Sequence, residues 1–317
     1  METRIDRGLV RALWRYPVKS MLGEELQAAE ITSRGVRGDR AYALVDLETG
    51  RVVSAKHPRK WPTIFQYSAA FINTLQPEIV RITLPDGGTV TSDAEDCNEM
   101  LSRSLGRRVK LDGVDLNDAS RRPADSYWPD VEGLPAPDTE FEFGLQPGMF
   151  FDGAILHLLT SATLAQLTEF YPQGRFDPRR YRSNIVIESP SGDHGFVENN
   201  WIGQTLAFGN EVELTITRPC GRCVMTTLPQ SDLPADGGAD HAGLDAPRAQ
   251  LYQRPARGSR GARLEIREPG RIGGRPVRPC GPQSGRGRRS RHSGRTRLAL
   301  KTDLKGYSRP SCLRVTR

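Results

Sequence analysis

"RAYALVDLETGRVVSAK" (residues 40–56) sets one alternating apolar run against another across "LETG". Alternation at period two predicts strands, and a glycine-ended polar turn between them predicts a hairpin. The pattern repeats outward in "LVRALWRYPVKS" (9–20), "EELQAAEITSRGV" (24–36) and "IVRITLPDGGTVTS" (79–92), the last punctuated by "LPDGG". One helix interrupts it. In "DAEDCNEMLSRSLGRRVKL" (93–111), Cys97, Leu101 and Leu105 share a face and Gly106 stands at the expected end.

"NDASRRPADSYWPDVEGLPAPD" (117–138) is polar, proline-bearing and aperiodic, the signature of a linker or long loop. A second unit opens near Phe141. "FFDGAILHLLTSATLAQLTEFYP" (150–172) predicts a strand running into a helix. Thr160 or Ser161 would cap that helix, Leu164, Leu167 and Phe170 would form its buried face, and Pro172 would close it. "RSNIVIES", "WIGQTLAFGNEVELTIT" and "CVMTTLP" then read as strands. Many short strands and few helices predict a mainly β (α+β) protein: an N-terminal β-rich domain, then a β-barrel domain. The expected division is 1–122, a linker at 123–140, a second domain at 141–236, and a tail at 237–317.

The net charge of +7 conceals two regions. Residues 231–317 carry 18 Arg and 2 Lys against 7 acidic residues, whereas 1–230 hold 25 basic and 31 acidic residues. The tail has little apolar periodicity, so its composition predicts an irregular or disordered segment. Such a basic arm suits phosphates, but Tyr252 and Tyr307 are isolated, and the missing aromatic pattern weighs against nucleic acid. No apolar run is long enough to span a membrane, the N-terminus lacks a signal-peptide pattern, and an odd five cysteines suit a reducing compartment. A cytoplasmic protein is expected.

"TRPCGRCVMTT" (217–227) holds two of those cysteines. Zinc would need two further ligands at short spacing, and the other Cys and His are scattered. A redox dithiol would sit at a helix N-terminus, whereas here strand-like runs flank the pair. Two structural thiols remain a third reading. Arg218 and Arg222 favour a thiolate, the form that ligates a soft metal. His157, in an apolar run, reads as a core histidine, His57 carries no ligand pattern, and Asp152 reads equally as a ligand-bonding or a turn carboxylate.

"YPVKSMLGEEL", "GVRGDRAYALVD", "LHLLTSATLAQL", "RFDPRRYRSNIVIE" and "RPCGRCVMTT" occur in this order. Together, over residues 8–229, they resemble the MOSC-domain family with its N-terminal β-barrel domain, and within it the mitochondrial amidoxime-reducing components and their bacterial relatives. The resemblance implies a molybdopterin-type molybdenum cofactor whose metal is held by Cys223. It further implies cofactor contacts from Lys19, Ser20, Arg40, Thr160, Ser161, Arg182 and Asn184. Thr160 and Ser161 open a helix, whose N–H groups favour an anion; the arginines offer planar forks to oxyanions. The implied activity is reduction of small N-hydroxylated substrates. The ferredoxin pattern C-x₄-C-x₂-C is missing, so electrons would come from a separate ferredoxin-, flavin- or haem-type protein. Two alternatives stand beside this reading: a sulfur carrier served by a pyridoxal-phosphate-dependent desulfurase, and a non-enzymatic cofactor- or nucleic-acid-binding protein. Beyond about residue 237 the resemblance fades, with "PGRIGGRPVRP" (269–279) an incomplete echo of the family's closing strand. Arg/Gly/Pro-rich text is what high-GC coding DNA read out of frame yields, so a barrel without its closing strands is expected.

Overall fold

The structure, a computed structural model, describes residues 5–32, 34–73, 77–114, 124–127, 141–144, 150–208, 212–220, 222, 224–236, 297–301 and 313–316. Its strands are β1 (Ile5–Arg15), β2 (Glu24–Leu26), β3 (Ala28–Thr32), β4 (Gly35–Val36), β5 (Tyr42–Asp46), β6 (Ser68–Phe71), β7 (Val80–Thr83), β8 (Thr89–Thr91) and β9 (Val109–Gly113). There follow β10 (Ala124–Tyr127), β11 (Phe141–Gly144), β12 (Leu158–Thr160), β13 (Ile185–Glu188), β14 (Thr205–Phe208), β15 (Val212–Thr215), β16 (Arg297–Lys301) and β17 (Leu313–Thr316). Among the described residues three α-helices accompany them: α1 (Cys97–Leu105), α2 (Ser161–Phe170) and α3 (Pro178–Tyr181). The protein is mainly β, as the alternating runs predict. Among the described residues no helix is long and apolar enough to cross a membrane.

The largest sheet runs β12-β13-β1-β16-β14-β15, with β2 also on β1; β6-β7-β8 and β17-β3-β4 form smaller sheets, and β5 pairs with β9. β1 therefore sits among strands of the second half of the chain. It pairs antiparallel with β13, Leu13 opposite Ile185, and its register shifts between Val10 and Ala12. Gly8 (φ +126°) allows β1 to curve: a Cβ there would collide with the Glu188 carbonyl. Against the expectation of open edges, β16 fills the slot between β1 and β14, and β17 extends β3. Ladder pairing uses main-chain groups, which any non-proline stretch carries, so side-chain periodicity did not reveal it. The rest of the tail lies outside the described residues.

Among the described residues two large apolar cores result, beside two small clusters. Val18, Met21, Leu44, Trp61, Phe65, Tyr67, Ile82 and Leu101 build the first, and Leu13, Ile31, Ile185, Trp201, Leu206 and Leu214 the second. The chain passes between them at residues 14–20.

Local signals hold where interactions are local. α1 buries Cys97 and Leu101 and ends at Gly106 in the left-handed conformation (φ 65°), whose N–H reaches the Arg103 carbonyl. Thr160 caps α2 by accepting from Thr163 N. Three details differ. Phe170 is exposed, its ring tilted at 41° to that of Phe196, because α2 presents Ala162 and Thr163 to the core together with the expected Leu167. The arm after "LETG" makes one bridge among the described residues, Val52 to Val45, with Asp46 N donating to the Arg51 carbonyl and Val53 N to the Leu44 carbonyl at 2.8 Å each, whereas the full ladder of β5 is with β9. Val224–Thr226, expected as a strand, is a single 3₁₀ turn whose Met225 and Thr226 carbonyls accept from Gln230 Nε2 and Arg180 Nη1. β10, inside the expected linker, pairs with β11 just beyond it.

Candidate functional site

Tyr16–Ser20 leaves the end of β1 and enters the junction of the two cores, followed by residues 39–42, 150–157 and 180–184. Four non-glycine residues among those described have positive φ: Ser20 (65°), Arg40 (47°), Arg182 (51°) and Ser231 (51°). Side-chain-bearing residues avoid this region by about 1–2 kcal/mol, and such strain concentrates where side chains are aimed for function. The first three belong to the set implied by the family motifs.

Asp39 is the organising carboxylate. It is buried; Oδ1 accepts from Tyr16 N at 2.7 Å, and Oδ2 accepts from Asn184 Nδ2 at 3.0 Å and from Arg40 Nη1. Arg40 Nη2 also donates to the Arg182 carbonyl at 3.2 Å. Asn184 returns its Oδ1 to His157 N at 3.2 Å and to Arg40 Nη1 at 3.4 Å. Every polar end of Asn184 is thereby used to tie the first half of the chain to the second.

Arg182 is buried, its guanidinium 4.2 Å from the Tyr16 ring centroid, with that of Arg40 at 4.8 Å from the same ring. Nη1 donates to the Met21 carbonyl. Nη2 is buried without a hydrogen-bond partner, as is the Tyr16 hydroxyl. Burial, and then the neighbouring Arg40 cation, push Arg182 down to about 10, which leaves it charged at neutral pH. Burial raises the Tyr16 phenol, so it remains a donor.

Beside them Lys19 Nζ meets Asp152 Oδ1 at 2.5 Å, and Lys56 Nζ meets the same oxygen at 2.9 Å. Burial would raise the Asp152 carboxyl, but the two ammoniums hold it well below the usual carboxylate range. Ser20 Oγ accepts from Ala55 N at 3.0 Å and so fixes the Lys56 arm. Four cations thus gather around two carboxylates. A buried guanidinium nitrogen with no acceptor in such surroundings fits an anionic ligand that presents oxygen acceptors.

The cysteine segment borders this cluster. Arg222 Nη1 donates to the Tyr181 carbonyl at 3.0 Å, and its Nη2 meets His157 Nδ1 at 3.0 Å and also Nε2. Ser183 Oγ lies 2.9 Å from His157 Nδ1. Burial, then Arg222 and Arg40, hold the imidazole well below its ordinary value, so it is neutral. Arg218 lies against Gly153, where any Cβ would displace it. Cys223 itself lies outside the described residues, and Cys220 is exposed.

The structure brings Lys19, Ser20, Arg40, Arg182 and Asn184 together. Thr160 and Ser161 stand apart. Asn184 N bonds the His157 carbonyl at one end of β12, whereas Thr160 pairs with Ile187 at the other, about 10 Å along the strand. There a protein carboxylate fills the α2 N-terminus: Glu198 accepts from Thr160 Oγ1 at 2.8 Å and from Thr163 Oγ1 at 2.7 Å. Ser161 Oγ accepts from Ser189 N at 2.9 Å. Sequence reasoning passed over Tyr16, Asp39 and Lys56, although "YPVKS", "RGDR" and "SAKHP" contain them.

The MOSC N-terminal beta barrel domain matches residues 7–127, and the MOSC domain matches residues 146–278. Human mitochondrial amidoxime-reducing component 1 is 25% identical over 249 residues, covering 70% of this chain and 66% of that protein. Human mitochondrial amidoxime reducing component 2 is 26% identical over 239 residues (70% and 67%), and the component 2 of Bos taurus 24% over 241 residues (70% and 66%). The chain spans about two thirds of the length of these relatives. Between them the two domain matches take in most of the chain, which belongs to the MOSC-domain proteins that carry the MOSC N-terminal β-barrel domain.

Proposed function

We propose that this protein is an oxidoreductase that binds a molybdopterin-type molybdenum cofactor at the junction of its two cores and reduces N-hydroxylated small molecules. The names of its relatives support the substrate class. The observation that carries the binding site is the strained, buried cation cluster with the unpartnered Arg182 Nη2. In this reading Lys19 and Lys56 attract the cofactor's phosphate, Arg40 and Arg182 direct donors at its polar edge, and Asn184 ties together the segments that carry them. Asp39 holds those donors in orientation, and Cys223 ligates the metal. When bound, the cofactor supplies the two-electron redox chemistry. The residues themselves bind, orient and exclude water. Electrons come from a separate ferredoxin-, flavin- or haem-type protein, and the setting is cytoplasmic.

Metal analysis of purified protein tests the reading. Wild type and Cys220→Ala should hold near-stoichiometric molybdenum, and Cys223→Ala should lose it. Equal loss from both variants, or a wild type without molybdenum, overturns the assignment.

A further inference from the structure

The segment that follows Cys223 is gripped by a side chain that the cofactor cluster does not use. Arg180, in the short α3, is almost fully buried, and every nitrogen of its guanidinium donates to a main-chain carbonyl. Nε reaches Arg175 O at 2.8 Å; Nη1 reaches Thr226 O at 3.3 Å and Leu228 O at 3.0 Å; Nη2 reaches Pro234 O at 2.6 Å. Three of those four acceptors lie within residues 226–234. These carbonyls lie outside the named strands, and the guanidinium donates to them much as a strand neighbour would.

Three further features hold the same segment. Met225 and Leu228 pack on the first core. Gln230 is buried and donates from Nε2 to Met225 O at 3.1 Å. At the surface Arg179 reaches Asp232 at 2.8 Å while Asp177 orients Arg179 at 2.8 Å. On the other side of Cys223, Arg222 is tied to the Tyr181 carbonyl. Arg182 is the residue that terminates α3 in the left-handed conformation. One short turn of helix therefore sends Arg180 to the cysteine segment and, two residues on, Arg182 to the cation cluster.

We propose that Arg180 is a positioning residue: it fixes residues 226–234 against α3 and so restricts the freedom of Cys223, which lies three residues before that segment in sequence. The proposal rests on Cys223 being the metal ligand only for its consequence in cofactor retention. The positioning itself is independent of that.

The test reads cysteine reactivity on full-length protein made in a host lacking the molybdenum cofactor, with peptide-resolved iodoacetamide labelling. Removing four donated hydrogen bonds in Arg180→Met should raise the Cys223 labelling rate at least about tenfold, because the segment opens more often. Cys97, buried in the first core, reports any general loosening and should keep its wild-type rate. Arg180→Lys, which keeps a charge but fewer donors, should fall between. Gln230→Leu, which removes one donor from the same segment, should show a smaller rise and carries the test if Arg180→Met does not fold. In a cofactor-competent host, Arg180→Met should retain several-fold less molybdenum than wild type. An unchanged Cys223 rate in the variants, or a rise matched at Cys97, overturns the proposal. A wild type without molybdenum whose labelling contrast persists removes the cofactor reading and leaves the positioning role supported.

Discussion

In "ILHLLT" His157 stands among apolar neighbours, yet in the folded chain its ring meets Arg222 and Ser183. The run around it predicted a core histidine, and burial is indeed the main reason for its depressed pKa, with Arg222 and Arg40 next. The sign follows from linkage. Unfolded, His157 takes a proton near 6.5; folded, it refuses that proton, so stability is complete above 6.5 and falls as pH drops below it. The slope approaches about 1.4 kcal/mol per pH unit until the folded group titrates. Urea unfolding at pH 7.5 and 5.5 should therefore show wild type losing about 1 kcal/mol more than His157→Gln; parallel losses would contradict it. Other site residues differ in legibility for the same reason. Lys19, Arg40, Arg182 and Asn184 stood out only as members of ordered motifs. Asp39 reads in sequence as one more charge in "RGDR", and only contacts with Tyr16 and Asn184 make it the centre of the cluster.

At the scale of elements, β1 depends on a glycine as well as on its buried apolar residues. Gly8 has φ +126°, and the Glu188 carbonyl and the Ile187 side chain occupy the space a Cβ would need. Gly50, with φ +71°, has nothing within 4 Å of that position. Gly50→Ala should thus cost about 1 kcal/mol, the backbone penalty alone. Gly8→Ala should cost at least about 2 kcal/mol more, since the β1–β13 ladder must shift. Chemical denaturation of both variants measures the difference, and equal costs would show that β1 yields freely. α1 and the cap of α2 were legible because spacing, caps and C-terminal glycine act within a few residues. The 3₁₀ turn at Val224–Thr226 was not, because its β-branched text favours a strand and distant donors from Arg180 override that preference.

Across the whole molecule, the two cores are not independent. β1 lies in the second sheet while Val18 and Met21, a few residues later, fill the first core, and Met225 and Leu228 return from the second half to pack on it. Shared strands and returning segments couple unfolding. Hydrogen exchange in rising denaturant should bring β7 and β13 peptides to one common opening transition. Two well-separated transitions would mean that the cores open singly.

The amino-acid sequence by itself determined the mainly β class, the two helices with their caps, the hairpin at "LPDGG" and the residue types of the candidate site. Those features rest on period, turn chemistry and capping, which are local. The tertiary structure alone decided that β1 joins the largest sheet, that β16 fills its gap, and that Thr160 bonds Glu198 and Ser161 bonds Ser189 at a distance from the cation cluster. It alone put Ser20, Arg40 and Arg182 in left-handed backbone. Arg40 meets Asn184 across 144 residues and Arg182 meets Met21 across 161. Such contacts exist only once the chain has closed on itself, and they hold the strain that a short stretch of sequence would release.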